Sequence, residues 1–335
     1  MLQKFTKRRN MLTAAMLLCF CAFTNKAMAW EGNGTANNPW KIGDTQTNTA
    51  TAVTAVLNGN TLTISGTGNM ADFWYSSEGE APWYYEFYSN YSLITNIDIQ
   101  SGVTNIGDRA FHNLKNLTTI TIPSTVTIIG KQAFYMQPEL GFNNTSLKSI
   151  KIPNSVKNIE GEAFRNCSGL ETVTIENGHD VLNFLLGWFP DYYETFTGCP
   201  IKILHLGRNY TNLPFSGIST LQTLTIGSTV TEIGGNGAFY YCHNLKNVTI
   251  QDGTDALIFK DEFPYQYFSS PIETLYLGRN IDNHSGSYGS PFMRISALKM
   301  LTIGNNVTSI NNYSFQDCNG LTQIISNNPN LYQYI

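Results

Sequence analysis

The feature that most constrains this chain is a segment pattern that recurs every 23 or 24 residues. Leu147 and Leu170, which begin successive copies, stand 23 residues apart. Leu221 and Leu245 stand 24 residues apart. A unit this short cannot bury its apolar side alone, but stacked units share one continuous core. The period therefore predicts an array of stacked units rather than a domain built around one centre.

Each unit begins with a short strand and turns sharply after it. In one copy, Ile120 and Ile122 alternate with threonines, so both should point to the same face of a strand. Pro123 should end that strand because it has no N–H to donate. Gly130 is expected to allow a turn with positive φ. Ala133-Phe134 should open a helical turn whose ring enters the shared core.

A longer period is superimposed on the short one. Residues 170–245 and 245–321 each hold three units, and the second unit of each block carries Gly-Arg-Asn (207–209 and 278–280). The first unit of each block is extended by an aromatic-rich segment. We therefore expect two equivalent blocks whose extended segments protrude from the same side.

The residues ahead of the repeats do not follow the pattern. Val53 to Ile64 predicts a β-hairpin about Asn58-Gly59. Because the first unit of a stack must be sealed from water, residues 30–92 are predicted to form a small β-rich cap. Its aromatic layer is expected to contain the following residues, for which a ligand site is the alternative: Trp74, Trp83, Tyr84 and Tyr85.

The repeated motif resembles the BspA-like leucine-rich-repeat family of bacterial surface proteins. The shared pattern is Ile-x-Ile-Pro-x-Ser/Thr-Val-x-x-Ile-Gly-x-x-Ala-Phe-x-x-Cys-x-x-Leu, over residues 93–325. The segment from Ile64 to Met70, with Pro82-Trp83 after it, is similar to the leader of such proteins in Bacteroidetes.

The resemblance implies an α/β-type repeat solenoid, a right-handed superhelix of mostly strands and turns with a parallel β-sheet on one face. It also implies a secreted or cell-surface protein that adheres to host matrix proteins or to other bacteria, without enzyme activity or a cofactor. Residues 326–335 are expected to form a C-terminal tail or partial cap.

The first 29 residues predict an export signal. A basic start precedes an apolar run from Met11 to Phe23, and Ala27-Met28-Ala29 is a small-x-small cleavage site. Cleavage after Ala29 would remove five of the 20 basic residues and none of the 24 acidic ones, leaving a net charge near −9. Such a chain should bind neither nucleic acid nor anionic membrane. We expect it to be secreted, at the cell surface or periplasmic, with no membrane insertion after cleavage.

The cysteines of the mature chain are expected to be structural. Cys167, Cys199, Cys242 and Cys318 occupy similar positions in their units, where Leu114 stands in the first copy. The position therefore favours a small apolar filler, although a disulfide between Cys167 and Cys199 stays open. Histidines are scattered, so no zinc site is expected.

An enzyme is the least favoured interpretation. The chain contains no nucleophile elbow, phosphate loop or dinucleotide fingerprint. Paired carboxylates such as Glu160/Glu162 and Asp261/Glu262 fall in turns, where a solvated charge is the usual role. No catalytic, cofactor-binding or metal-binding residues are predicted.

Two surfaces remain as candidates for ligand binding. The first is a pair of equivalent aromatic loops that could bind protein or stack on a glycan; its candidate residues are Trp188, Tyr192, Tyr193, Tyr265 and Tyr267. Phe189 and Phe263 of these loops are assigned to the core. The second is the solvent face of the sheet, a polar strip through Thr119, Thr121, Ser149, Lys151, Thr174 and Thr225. Adhesion through protein binding is the leading hypothesis, and glycan binding is the alternative.

Overall fold

The structure is a computed structural model of the 335-residue chain. It describes residues 30–46, 52–74, 79–85, 92–185, 195–212, 214–234, 238–260, 268, 270–283, 290–311, 313–329 and 331. The predicted signal peptide lies outside these residues. Among the described residues, no helix is long and apolar enough to span a bilayer.

The front strands form two sheets along one side of the molecule, and they pair in parallel except for the first three, which are antiparallel. The N-terminal sheet has the order β1-β2-β3-β5-β7, and the main sheet has the order β9-β11-β13-β14-β16-β18-β20-β21. The strands of the N-terminal sheet are β1 (Trp40–Lys41), β2 (Val53–Asn58), β3 (Thr61–Gly66), β5 (Asn96–Ile99) and β7 (Thr119–Thr121). Those of the main sheet are β9 (Ser149–Ile152), β11 (Thr172–Ile175), β13 (Ile203–Leu206), β14 (Thr223–Ile226), β16 (Asn247–Ile250), β18 (Thr274–Arg279), β20 (Met300–Asn306) and β21 (Gln323–Ser326).

A second set of short parallel strands forms a back ladder on each block of units. The first back ladder contains β4 (Gly68–Asn69), β6 (Val103–Ile106), β8 (Ile128–Ile129), β10 (Asn158–Ile159) and β12 (Asn183–Phe184). The second contains β15 (Glu232–Ile233), β17 (Leu257–Phe259) and β19 (Ile281–Asn283). These ladders were not expected, because strands of two to four residues leave too little alternation to be seen in the sequence.

The core between the sheets and the ladders holds a continuous stack of phenylalanine rings. Phe134 and Phe164 stack with nearly parallel rings, with centroids 5.1 Å apart and an interplanar angle of 2°. The stack continues through neighbouring units, and its members are Phe111, Phe134, Phe164, Phe196, Phe215, Phe239, Phe268, Phe292 and Phe315. The rings enter the core as predicted, but from hydrogen-bonded turns rather than helical segments.

The role expected of Gly130 was wrong. Its φ is not positive; the left-handed residues of that region are Arg109, Gln132 and Glu162. Glycine is required there by close packing, since a Cβ on Gly130 would lie 2.7 Å from the backbone nitrogen of Asp108.

The hairpin joins the repeats directly. β2 and β3 are antiparallel, with Asn58 paired to Thr61, so the turn is Gly59-Asn60, one residue later than expected. Gly59 has a φ of 61° there. β3 then pairs in parallel with β5, which continues the sheet into the first unit.

The aromatic layer beneath the hairpin differs in part from the expected one. Trp83, in the short helix α1 (Pro82–Tyr85), is fully buried and stacks on Phe111 at 5.8 Å. Trp40 and Phe73 pack on Trp83. Trp74 instead lies at the surface, 56% exposed, beneath the guanidinium of Arg109.

The parallel stacking of strands is interrupted once in the described segment 92–185. No ladder joins β7 to β9, although β8 and β10, from the same two units, are paired. The two sheets are therefore separate on the front while the units stay in contact at the back.

Candidate binding surface

The aromatic residues predicted to bind a ligand lie outside the described residues. Trp188, Tyr192 and Tyr193 fall in 186–194, and Tyr265 and Tyr267 fall in 261–267. Phe189 and Phe263, assigned to the core, fall in the same segments. The aromatic-loop prediction therefore stays a prediction. The candidate surface among the described residues is the solvent face of the sheets.

The solvent face of the sheets has the polar character that the sequence predicts. Thr119, Thr121, Ser149 and Lys151 are exposed, and Thr174 and Thr225 are half-buried with their strand neighbours in the core. Because the strands are in register, the outward residues form two rows across the main sheet. The first row runs from Ser149 to Gln323, and the second from Lys151 to Ile325.

Two ring side chains interrupt the threonines of the second row. His205 on β13 and Tyr276 on β18 occupy equivalent positions in the two blocks, with Thr225 and Thr249 between them. Three strand spacings separate the two rings, which is ~14 Å. Two apolar side chains of the first row lie nearby, Ile203 beside His205 and Met300 on the strand next to Tyr276.

Each ring is held by the turn of an adjacent strand. His205 Nε2 lies 3.0 Å from Asn177 Oδ1, and Tyr276 donates its hydroxyl to Asp252 Oδ2 at 2.9 Å. Burial lowers the pKa of His205. Burial, followed by the Asp252 hydrogen bond, raises the pKa of Tyr276. At neutral pH both rings are therefore uncharged. Because hydrogen bonds already hold them in place, their use in an interface costs less side-chain entropy.

Glycine makes this arrangement possible. A Cβ on Gly227 would lie 2.5 Å from Asn177 Oδ1, and one on Gly304 would lie 2.6 Å from Asp252 Oδ1. The polar side chains therefore lie flat over glycines at the ends of the next strands.

Charged residues immediately precede the first row in the chain and alternate in sign across the sheet. This row of alternating charge consists of Lys148, Glu171, Lys202, Lys246, Glu273 and Lys299. Glu171 accepts from Lys202 at 2.8 Å and pairs with Lys148 at 3.4 Å, and the Lys202 bond is the main cause of its lowered pKa. Glu273 is bound in the same way by Lys299 at 2.7 Å and Lys246 at 3.0 Å. Exposed pairs of this kind contribute little to stability, but they set the charge pattern that a partner meets.

The two Gly-Arg-Asn arginines lie beneath the surface. Arg208 and Arg279 are fully buried, and each guanidinium donates to two backbone carbonyls of a turn two strands away. Arg208 bonds to Asn154 O at 2.8 Å and Pro153 O at 3.0 Å. Arg279 makes equivalent bonds to Ser228 O and Gly227 O. The recurrence was visible in the sequence, but its structural meaning was not.

The described cysteines are free and buried, as expected of structural residues. They are more than fillers, because each thiol donates to the carbonyl of a phenylalanine in the preceding unit. Cys199 Sγ lies 3.0 Å from Phe164 O, and Cys318 Sγ lies 3.0 Å from Phe292 O. The hydrogen bonds explain a preference for cysteine that burial alone does not.

The carboxylates considered for catalysis differ in their surroundings. Glu162 pairs with Arg165 at 2.9 Å. Burial, and then the charge of Asp108, raises the pKa of Glu160. Asp261 and Glu262 lie outside the described residues. Among the described residues, no group of three or more His, Cys, Asp or Glu side chains could hold a metal ion.

Comparisons with solved structures find bacterial leucine-rich-repeat proteins. A leucine-rich repeat protein from Eubacterium ventriosum is 22% identical, with 84% of this chain and 77% of that chain covered and a TM-score of 0.37. A leucine rich cell surface protein from Faecalibacterium prausnitzii is 19% identical, with 84% and 94% covered and a TM-score of 0.30. A leucine-rich repeat protein from Bacteroides ovatus is 20% identical, with 82% and 75% covered and a TM-score of 0.35. No curated protein matches the chain.

A family model settles the classification. The BspA type leucine rich repeat region matches in six copies, over residues 84–183, 137–266, 192–322 and 286–334. Together these ranges include every unit of the repeat described above. The chain belongs to the BspA-type leucine-rich-repeat family.

Proposed function

We propose that the chain is a non-catalytic adhesion module that binds protein partners through the outward face of the main sheet. The observation that carries this proposal is the pair of fixed, partly exposed rings, His205 and Tyr276, on a polar sheet face. Solenoids use their extended sheet faces in this way because each unit contributes one strand to a continuous surface.

The face contains several side chains that are common in protein interfaces. Tyrosine supplies a large contact area at low entropy cost. Ile203 is 48% exposed beside His205, and Met300 adds a flexible apolar side chain beside Tyr276. Lysines and glutamates form the border, as at the polar rim of a typical interface.

The proposal includes the location and organisation of the chain. Residues 1–29 are a signal peptide cleaved after Ala29, residues 30–92 cap the stack, residues 93–325 form the solenoid, and residues 326–335 form a C-terminal tail or partial cap. The protein is exported to the cell surface or secreted, and its partners are host matrix proteins or proteins of other bacterial surfaces. Family membership supports this placement.

Glycan binding is the weaker candidate. It depends on Trp188, Tyr192, Tyr193, Tyr265 and Tyr267, which lie outside the described residues. No feature of the described surface favours a sugar over a protein, so the sheet face takes precedence.

The test replaces both rings by threonine, the most frequent residue of their row. His205→Thr with Tyr276→Thr should keep the fold, since Thr225 and Thr249 hold the same position on neighbouring strands. Binding of residues 30–335 to immobilised matrix proteins should weaken about tenfold or more, as expected for loss of an aromatic anchor.

The matched control is Tyr313→Asn, which removes a 70% exposed tyrosine away from the sheet. Asparagine tolerates the φ of 65° at that position. The control should bind as the unaltered protein does. A folded double variant with undiminished binding would exclude the sheet face, and a positive glycan array on the same protein would favour the alternative.

A further inference from the structure

We propose that the interruption between β7 and β9 is a binding site for an extended polypeptide strand of a partner protein. This inference rests on the proposed protein-binding function and assigns it a second place on the same face. Within residues 92–185, β7 and β9 follow one another along the stack without pairing.

The ladder is continuous on both sides of the interruption. At the start of β7, the Thr118 amide donates to Thr95 O at 2.8 Å. At the start of β11, the Glu171 amide donates to Lys148 O at 3.0 Å. The corresponding bond from Lys148 to Thr118 is absent from this described segment. Two strand edges therefore face one another unpaired.

An insertion separates the two strands. Leu117 and Leu147 are 30 residues apart, seven more than the spacing of 23 found between Leu147 and Leu170. The extra residues include a short 3₁₀ helix, Pro138–Leu140. Asn144, buried ahead of β9, donates to Leu114 O at 2.8 Å and to Leu117 O at 3.0 Å. The units are thus connected before the strands and again at β8–β10, so the opening is confined to the sheet.

The unpaired edges offer a regular set of backbone groups. Because the Thr119 amide bonds back to Thr95, the alternation of a parallel ladder turns the N–H and C=O of Ile120 towards the opening. Because Thr172 bonds to Lys148 O, the same alternation turns those of Ser149 and Lys151 towards it from the other side. A backbone N–H or C=O group that makes no hydrogen bond raises the free energy of the folded protein where water cannot reach it.

An extended polypeptide is the ligand that matches this pattern. Its N–H and C=O groups alternate along both edges with a rise of ~3.3 Å per residue, and it pairs at ~4.8 Å from each neighbouring strand. No other common ligand presents donors and acceptors with that period on two opposite sides.

The side chains around the opening indicate which peptide would fit. Ile120 and Ile122 are half-buried, whereas Ile97 and Ile150, which are equivalent to Ile120 on neighbouring strands, are each only 2% exposed. An apolar residue of the peptide would cover the two isoleucines. The outward side chains beside the opening include Thr119 and Ser149, so the alternate residues of the peptide should be polar. The predicted ligand class is a strand of alternating apolar and hydroxyl residues.

Amide hydrogen exchange on residues 30–335 tests the site directly. The probe is a soluble peptide, Lys-Thr-Val-Thr-Val-Thr-Lys, and its control is the same peptide with N-methylated valines. In the free protein, the amides of Ile120 and Ser149 should exchange about a hundredfold faster than that of Thr174, which lies inside a paired ladder. The probe should slow both about tenfold, and the N-methylated peptide should not.

Two variants distinguish binding of the probe at this site from binding at other strand edges. Deletion of residues 136–142 restores the 23-residue spacing and should close the sheet, so the probe should no longer change exchange. If that deletion prevents folding, Ser149→Pro removes an N–H that makes no bond and should weaken the probe while preserving the fold. Its control, Thr172→Pro, removes an N–H bonded to Lys148 O and should destabilise the protein.

The results of these experiments distinguish failure of this site from failure of the proposed function. Protection of Ile120 and Ser149 in the free protein, or equal protection by both peptides, would overturn the site. Protection confined to residues 323–326 would mean that the probe adds to the last strand, β21, instead. The His205→Thr/Tyr276→Thr protein should still respond to the probe, so undiminished matrix-protein binding by that variant would count against the proposed function and not against this site.

Discussion

At the scale of single residues, the buried histidine next to the cap has a measurable consequence. His112 is 3% exposed, stacks on Tyr84 with ring centroids 4.7 Å apart, and has its Nδ1 2.7 Å from Arg109 O. Burial lowers its pKa from 6.5 to about 4. The folded protein therefore holds this ring neutral where the unfolded chain would protonate it.

The stability of the protein should fall as the pH drops from 6.5 towards 4. The unfolded chain binds the proton more readily over that range, so the contribution of His112 is complete above pH 6.5 and is lost below it. The loss amounts to about 3 kcal/mol, at roughly 1.4 kcal/mol per pKa unit. Denaturant unfolding at several pH values measures it. His112→Phe should show a correspondingly flatter profile, and identical slopes for both proteins would contradict the assignment.

The sequence predicts the inward-facing residues of the strands better than the polar residues beneath them. Period-two alternation places Ile150 and Ile152 in the core, and both are buried. It says nothing of Arg208, because a fully buried arginine depends on carbonyls some 54 residues away, such as Asn154 O. Long-range partners of this kind leave no local pattern.

At the scale of elements, the phenylalanine stack connects one turn to the next. Phe164 has a ring on each side, Phe134 at 5.1 Å and Phe196 at 5.5 Å. Phe315, at the end of the described stack, is only partly buried and stacks on Phe292.

The same substitution should therefore have different costs along the stack. Phe164→Ala should lower the free energy of unfolding by about 3–5 kcal/mol, because it leaves a cavity between two rings. Phe315→Ala should cost clearly less, since its ring is partly exposed already. Guanidinium unfolding of both variants gives the comparison. Equal losses at the two positions would mean that the rings do not form one packed column.

Strands were predictable where alternation is long enough, and the interruption was not. The motif marks most front strands through two alternating aliphatic residues, such as Ile150 and Ile152. The spacing of 30 residues between Leu117 and Leu147 was present in the sequence, but an insertion can leave a sheet paired or open it. Here Asn144 and the β8–β10 pairing determine that the opening lies at the front.

At the scale of the whole molecule, a solenoid is stabilised by contacts between neighbouring units, so its first unit needs a cover. β3 supplies it by pairing with β5, and Trp83 supplies it by stacking on Phe111. Residues 93–335 without these elements would expose a strand edge and the first rings of the stack.

We expect residues 93–335 to aggregate when produced alone, whereas residues 30–335 should be monodisperse. The reason is that an uncovered apolar edge pairs with other chains. Size-exclusion chromatography and circular dichroism distinguish the two proteins. A shortened protein that stays monodisperse and unfolds as cooperatively as the longer one would show that the first unit needs no cover.

On the proposed binding face, the row of alternating charge would restrict how a partner can align. Its residues repeat every four strands: Lys148, Glu171, Lys202 and Gln222 are followed by Lys246, Glu273, Lys299 and Thr322. The rings His205 and Tyr276 repeat every three strands. Because the two periods differ, the charges and the rings can both match a partner at only one alignment. A partner shifted by ~14 Å would match the rings and meet the wrong charges, and one shifted by ~19 Å would match the charges and miss the rings. A surface built by repetition can thus still be read in a single register.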